Sequence, residues 1–298
     1  MIIENVPEEF KPHYKSTYPE YSEGKNIEEI CYNYFFREKD KIFTEYIYLP
    51  VFWTSYYIIK DYGKNINPLL KYLNSLNNNK KYFTIVQYAS GIYIDENINN
   101  LLVFSAGGGG LNKKKQCVRE DIFFNLRRYI FYGNISNYTI PLICNPLFPS
   151  ISCEKNIYCS FMGRLDTHKC RMIMYNKLKF NKNFSFYKSK DFSTYKNILN
   201  RSIFTLAPRG YGYTSYRIYE AILAESIPIY IWENKKVLPF EEILDWKEFS
   251  IIIHEKDIDN LPNILENCDI KTMQNKLKEI KKFFNFNYIF HYIKSKII

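Results

Sequence analysis

The stretch FTLAPRGYGYTSYRIYEAILAESIPIYIW, residues 204–232, decides the fold. Residues 203–207 form an apolar run rich in β-branched and aromatic side chains, which reads as a buried strand. Pro208, Arg209, Gly210, Tyr211 and Gly212 make a loop, after which Thr214 or Ser215 can cap a helix reaching 224. A second buried strand follows at 227–232. A strand, a glycine turn, a helix and a strand make one unit of a parallel α/β sheet.

The same alternation extends in both directions. Strand signals occur at 157–162, 184–187 and 249–254, helix signals at 169–178 and 194–200, and the chain beyond 260 is mostly helical. Sheets of this kind carry helices on both faces and bind ligands at the carboxyl ends of their strands. Farther upstream, apolar runs at 46–53, 82–88 and 101–105 read as buried strands, with helices at 55–62 and 68–76 between them. Residues 1–40 show little periodicity. Pro141, Pro146 and Pro149 resist regular structure, so the domain boundary is placed there. This gives domains 1–148 and 149–298, with a terminal helix able to pack back on the first. Two domains of about 150 residues suit the chain's 298.

With 41 basic and 31 acidic side chains the net charge is +10, which favours anionic partners, although a coding bias toward Lys accounts for it equally well. The seven cysteines are scattered without a Cys-x-x-Cys pair, which argues against a disulfide framework or a zinc site and for a reducing compartment. The start, MIIENVPEEF, does not read as a signal peptide, and no run of about 18 apolar residues predicts a membrane span. A cytoplasmic protein is expected.

Within the deciding stretch, the first turn of the helix offers unpaired N–H groups and a partial positive charge suited to phosphate. Arg209 in the loop and Arg217 in the first turn add forked donors, and Gly210 and Gly212 let the backbone approach a ligand. Glu220, three residues after Arg217, either pairs with it on the helix face or accepts bonds from ribose hydroxyls. His168, in the loop after the strand at 157–162, is a candidate for contact with phosphate. Glu233 and Asn234 follow the strand at 227–232 and are placed to meet the sugar or the base. His13, His254 and His291 have no companions in sequence that suggest a metal site or a triad.

The pattern A-P-R-G-x-G-x-x-S-x-R-x-x-E-A at 207–221, then Ile227-Pro228, Leu238-Pro239-Phe240, Asp245-Trp246 and Phe249-Ser250, resembles the signature of exostosin-like glycosyltransferases, family 47. FMGRLDTHKCR at 161–171 resembles the family's F-x-G-R segment with its downstream arginine, and LPVFWTSYY, FTIVQY and VFSAGG in the first half resemble the shorter members found in large DNA viruses. The likeness spans roughly residues 45 to 253.

The resemblance implies the GT-B architecture, with two Rossmann-like domains facing a central cleft and a nucleotide-sugar donor on the second. It implies inverting transfer of a sugar, xylose or similar, from a UDP-sugar to a glycan or glycoprotein hydroxyl, without metal or other cofactor. Arg164, Arg171, Arg209 and Arg217 would hold the diphosphate, with Ser215 at the helix start and Glu220 on the ribose. The base that takes the acceptor's proton has no obvious residue. Where relatives would carry an aspartate this chain has Ala89 and Ser90, which leaves Asp95 and Glu96 as substitutes. Trp53 and Tyr57 either form an acceptor platform or belong to the core. The run Gly107–Gly110 reads as a flexible loop whose bare backbone at Gly107 and Gly108 can meet an acceptor, beside a basic patch that includes Arg127 and Arg128. Three other readings compete: an inactive nucleotide-sugar or glycan-binding module, a basic nucleic-acid-binding protein, and another GT-B transferase with a different nucleotide or a retaining outcome. The second lacks a zinc-finger, RRM or KH signature.

Overall fold

The structure, a computed structural model, describes residues 1–14, 25–77, 79–94, 100–112, 137–143, 153–189 and 191–298. The chain divides into two compact units: Met1–Ile140 with Ile289–Ile298, and Pro141–Tyr288. The second unit thus starts at the first of the three prolines, ahead of the expected boundary at 148/149.

In the first unit, strands β1 (Tyr46–Tyr48), β2 (Lys81–Val86), β4 (Leu101–Ser105) and β6 (Asn137–Thr139) form a parallel sheet in the order β1-β2-β4-β6. Two short strands, β3 (Ile92–Tyr93) and β5 (Leu111–Asn112), pair separately. Helices α1 (Ile27–Glu38), α2 (Trp53–Ile59) and α3 (Asn67–Asn74) complete the unit among the described residues. The apolar run at 46–53 is shorter as a strand than its composition suggests. The Val51 amide turns back onto the Leu49 carbonyl, and Trp53 already begins α2. Helix α1 lies in the segment that showed no periodicity, because Glu28 and Glu29 both face inward and break the apolar pattern. Its start is nevertheless marked by a capping box between Asn26 and Glu29.

The second unit continues with β7 (Ile157–Met162), α4 (Lys169–Leu178), β8 (Phe184–Tyr187), α5 (Phe192–Arg201), β9 (Ser202–Pro208), α6 (Tyr216–Leu223), β10 (Ile227–Trp232) and β11 (Ile251–His254). Helices α7 (Leu261–Glu266), α8 (Ile270–Ile280) and α9 (Phe286–Ile297) follow. The five strands are all parallel, in the order β11-β10-β9-β7-β8. Strands β9 and β10 are buried almost throughout, as expected of central parallel strands covered on both faces. Each buried Ile, Leu or Phe in them contributes about 1.5–3 kcal/mol. The end of α9 counts with the first unit, where Phe290 stacks on Tyr34 at 3.8 Å between ring centroids. Among the described residues no helix is long and apolar enough to cross a membrane.

Candidate active site

Strand order locates the site. In the second unit the chain forms β7, steps outward to β8, and then crosses back to place β9 on the other side of β7. Doubly wound sheets bind ligands where this direction reverses, at the carboxyl ends of the two strands concerned. The corner is therefore bounded by Gly163–His168 after β7 and by Arg209–Ser215 after β9, with the N-terminus of α6 beneath the second loop.

Arg217 and Ser215 occupy that corner. Both are 7% exposed. The Arg217 guanidinium lies over the Phe161 ring at 4.6 Å and near Tyr195 at 5.9 Å, and its Nη2 donates to the Met162 carbonyl. Its Nε and the Ser215 Oγ are buried without a hydrogen-bond partner among the described residues. Two buried polar atoms without a partner, one of them on a guanidinium, beside the positive end of a helix make this corner a candidate receptor for an anion. The guanidinium fits there only because residue 163 is glycine: a Cβ at that position would lie 2.3 Å from Nη2. Sequence reasoning did not single out Gly163, Phe161 or Tyr195 as part of the site. The Phe-x-Gly spacing at the end of a predicted strand was the available signal.

The remaining basic residues are occupied within the fold. Arg209 is 2% exposed. Its Nε and Nη2 donate to the carbonyls of Gly212 (3.1 Å) and Tyr211 (3.3 Å), and Nη1 lies 3.5 Å from Glu233. Arg171 donates to the carbonyls of Arg209 (3.0 Å) and Arg164 (2.9 Å), tying the two loops together. Both were expected on phosphate; the structure uses them as struts that fix the loops' shape. Arg164 points into solvent and forms a forked pair with Asp166 at 3.0 and 2.8 Å. Gly210 donates to the Thr214 carbonyl and closes the turn, but a Cβ there would meet its neighbours at ordinary distances.

His168 and Glu233 also face inward. The His168 Nδ1 accepts from the Cys170 amide at 3.2 Å, and Nε2 lies 3.4 Å from Glu233. Burial, with the Arg209 charge nearby, holds the imidazole pKa down to about 4, so the ring is neutral at pH 7. With both nitrogens occupied it does not serve as the phosphate donor expected from sequence. Glu233 also takes Lys169 at 2.5 Å, so its carboxylate is shared among three donors. Glu220 accepts from the Tyr195 hydroxyl, while Arg217 reaches back to β7.

In the first unit a buried carboxyl group lies at the start of α2. The buried Glu28 carboxylate accepts from the Thr54 amide (3.2 Å) and hydroxyl (2.6 Å) and from the Gln87 amide (3.0 Å). Burial raises its pKa against these hydrogen bonds.

The acceptor-side expectations need correction. Trp53 is 0% exposed and its indole donates to Thr84 Oγ1 at 2.8 Å, while the Tyr57 hydroxyl accepts from the Tyr93 amide at 3.0 Å. Both are core residues, because their rings fill the interior beside β2. The glycine run is buried and packed. The Gly108 and Gly110 amides donate to Ser105 Oγ, and a Cβ on Gly107 would lie 2.4 Å from the Gln87 carbonyl oxygen. Close backbone packing explains those glycines, not loop freedom. Asp95, Glu96, Arg127 and Arg128 lie outside the described residues.

Comparison with known proteins agrees with the second unit as the informative half. Residues 143–268 match the model of the exostosin GT47 domain. A protein of Arabidopsis thaliana named as a probable glycosyltransferase is 31% identical over 169 residues, covering 49% of this chain and 34% of the relative. Another from the same plant, named as a probable beta-1,4-xylosyltransferase, is 37% identical over 73 residues, covering 24% of this chain and 18% of the relative. The chain thus spans about a third or less of the length of these relatives. The crystal structure of TarM superposes with a TM-score of 0.46 at 11% identity, covering 91% of this chain and 57% of that one. By sequence, residues 143–268 are similar to the exostosin GT47 domain, and the candidate corner built from β7, β9 and α6 lies inside that match.

Proposed function

We propose that this protein transfers a sugar from a nucleoside diphosphate to a hydroxyl of a glycan, as a GT-B glycosyltransferase, and that the donor's diphosphate sits at the corner between β7 and β9. The observation that carries this reading is the pair of buried, unsatisfied groups there, Ser215 Oγ and Arg217 Nε, at the start of α6. Breaking the bond between the anomeric carbon and the phosphate oxygen places new charge on the departing diphosphate. A fixed guanidinium and helix amides stabilise that charge without reorganising, a contribution of several kcal/mol in other preorganised sites.

Arg209 and Arg171 act at one remove by holding the two loops in register. Glu220, fixed by Tyr195, is the acceptor for ribose hydroxyls, and Glu233, held by His168, Lys169 and Arg209, braces the loops beside it. Single displacement with inversion and UDP as the nucleotide remain the reading carried from the sequence resemblance. We rank UDP-xylose first among donors, a reading supported by a relative named for xylosyl transfer. The test is a thermal-shift panel of UDP, UDP-xylose, UDP-glucuronate, UDP-galactose and UDP-N-acetylglucosamine. A ligand of the native state at a hundredfold excess over its Kd raises stability by about 2.7 kcal/mol. UDP compounds should raise the transition and uridine should do so far less; a panel with no shift refutes the proposal.

A further inference from the structure

Two planar side chains stand in solvent on the two loops that bound the corner between β7 and β9. Tyr211, on the loop after β9, is 68% exposed, and the Arg164 side chain, on the loop after β7, is 72% exposed. Tyr213 shows what a ring with a structural task looks like on the same loop: it is 5% exposed and carries the Arg209 guanidinium at 4.7 Å. Among the described residues the Tyr211 ring makes no such contact.

The backbone beneath both side chains is held. Arg171 donates to the Arg164 carbonyl through Nη1 (2.9 Å) and to the Arg209 carbonyl through Nε (3.0 Å), so one guanidinium sets the spacing of the two loops. Arg209 in turn donates to the Tyr211 carbonyl at 3.3 Å. The Arg164 guanidinium is oriented by its fork to Asp166, which engages the edge of the plane and not its faces. That hydrogen bond, with the charge of the carboxylate, raises the Arg164 pKa, and the Tyr211 phenol lies close enough to add to the effect. Gly210 links Tyr211 to the partnerless atoms of the corner: a Cβ on Gly210 would lie 4.0 Å from Ser215 Cβ.

We propose that Tyr211 and Arg164 hold the nucleobase of the bound nucleoside diphosphate, the base stacking on the phenol ring with the guanidinium plane beside it; this rests on the donor reading above. In a nucleoside diphosphate a single ribose separates the base from the phosphates. A diphosphate on Ser215 and Arg217 therefore carries its base to the rim of the two loops, where these side chains stand. Every base has a π-face, and aromatic rings and guanidinium planes both stack on it. Stacking engages that face and not the hydrogen-bonding edge, so this contact adds affinity without choosing between uracil and other bases.

Calorimetric titration of UDP, and of inorganic pyrophosphate, which lacks the base, into the full chain separates the base contact from the phosphate contact. Tyr211→Ala should weaken UDP by about 5–150-fold, the worth of stacking one base, and leave pyrophosphate unchanged. Tyr211→Phe keeps the ring and should bind UDP like wild type. Arg164→Ala should weaken UDP more than pyrophosphate. All three variants should melt like wild type without ligand, because the side chains are exposed. A Tyr211→Ala protein that binds UDP as tightly as wild type overturns the proposal. Equal loss of UDP and pyrophosphate in that variant also overturns it, as does a loss of UDP in Tyr211→Phe, which would assign the contact to the hydroxyl. Wild-type protein that binds neither ligand overturns the donor reading first, and this inference with it; Arg217→Ala, by contrast, should weaken both ligands.

Discussion

Replacing Gly163 by alanine tests how the anion corner is assembled. The added Cβ would lie 2.3 Å from Arg217 Nη2 and 3.2 Å from Cζ. To regain ordinary contact the guanidinium must retreat by about 1 Å, at an overpacking cost of about 1–3 kcal/mol. Such a retreat also breaks the bond from Nη2 to the Met162 carbonyl, and a charge-assisted hydrogen bond contributes about 1.5–3 kcal/mol. The two costs overlap, because moving the side chain relieves one while incurring the other, so a net loss of about 2–4 kcal/mol is expected. At about 2–4 °C per kcal/mol for a unit of this size, Tm should fall by roughly 4–16 °C. The decisive assay is a double-mutant cycle with Arg217→Ala, read by denaturant unfolding. With the guanidinium gone, Gly163→Ala should cost less than about 0.5 kcal/mol. An equal cost in both backgrounds would show that the glycine serves the backbone and not the arginine, and the argument would fail.

Three further outcomes are expected. His168 is held neutral when folded, with a pKa near 4, whereas an unfolded chain protonates near 6.5. Its contribution is therefore whole above pH 6.5 and is lost as pH falls toward 4, by about 3 kcal/mol at most; pH-dependent unfolding of wild type and His168→Asn should differ in slope across that window and be parallel above it. Lys155 Nζ donates to the carbonyls of Asn200, Ser202 and Ala224 at 3.0, 3.1 and 3.1 Å, so Lys155→Met should destabilise by about 2–4 kcal/mol in urea unfolding, while Lys179→Met should change little. Gly109→Ala would drive a Cβ to 2.0 Å from the Gly91 amide nitrogen and should prevent stable folding, whereas Gly210→Ala meets nothing closer than 3.4 Å and should fold normally by circular dichroism and thermal melting.

The parallel sheet of the second unit was legible because its strands are long, apolar and separated by helices with ordinary periodicity. The strands at 157–162, 184–187 and 227–232 have the bounds that pattern suggests. The short β1 and the helix at Ile27–Glu38 were less legible, because Pro50 and the inward-facing Glu28 and Glu29 obscure the local pattern. At the site, the pairing of a glycine loop with Arg217 was visible in sequence. What sequence could not separate was a guanidinium that faces a ligand from one that holds a loop: Arg209 and Arg217 are eight positions apart, yet carbonyls occupy the first and leave the Nε of the second unsatisfied.

Calorimetric titration of UDP and of uridine into the wild-type protein and Arg217→Ala tests the anion corner most directly. Wild type should bind UDP more tightly than uridine, and Arg217→Ala should weaken UDP by about 10–150-fold, the equivalent of 1.5–3 kcal/mol, while leaving uridine unaffected. Equal UDP affinity in the two proteins, or a wild type indifferent to the diphosphate, would contradict the account.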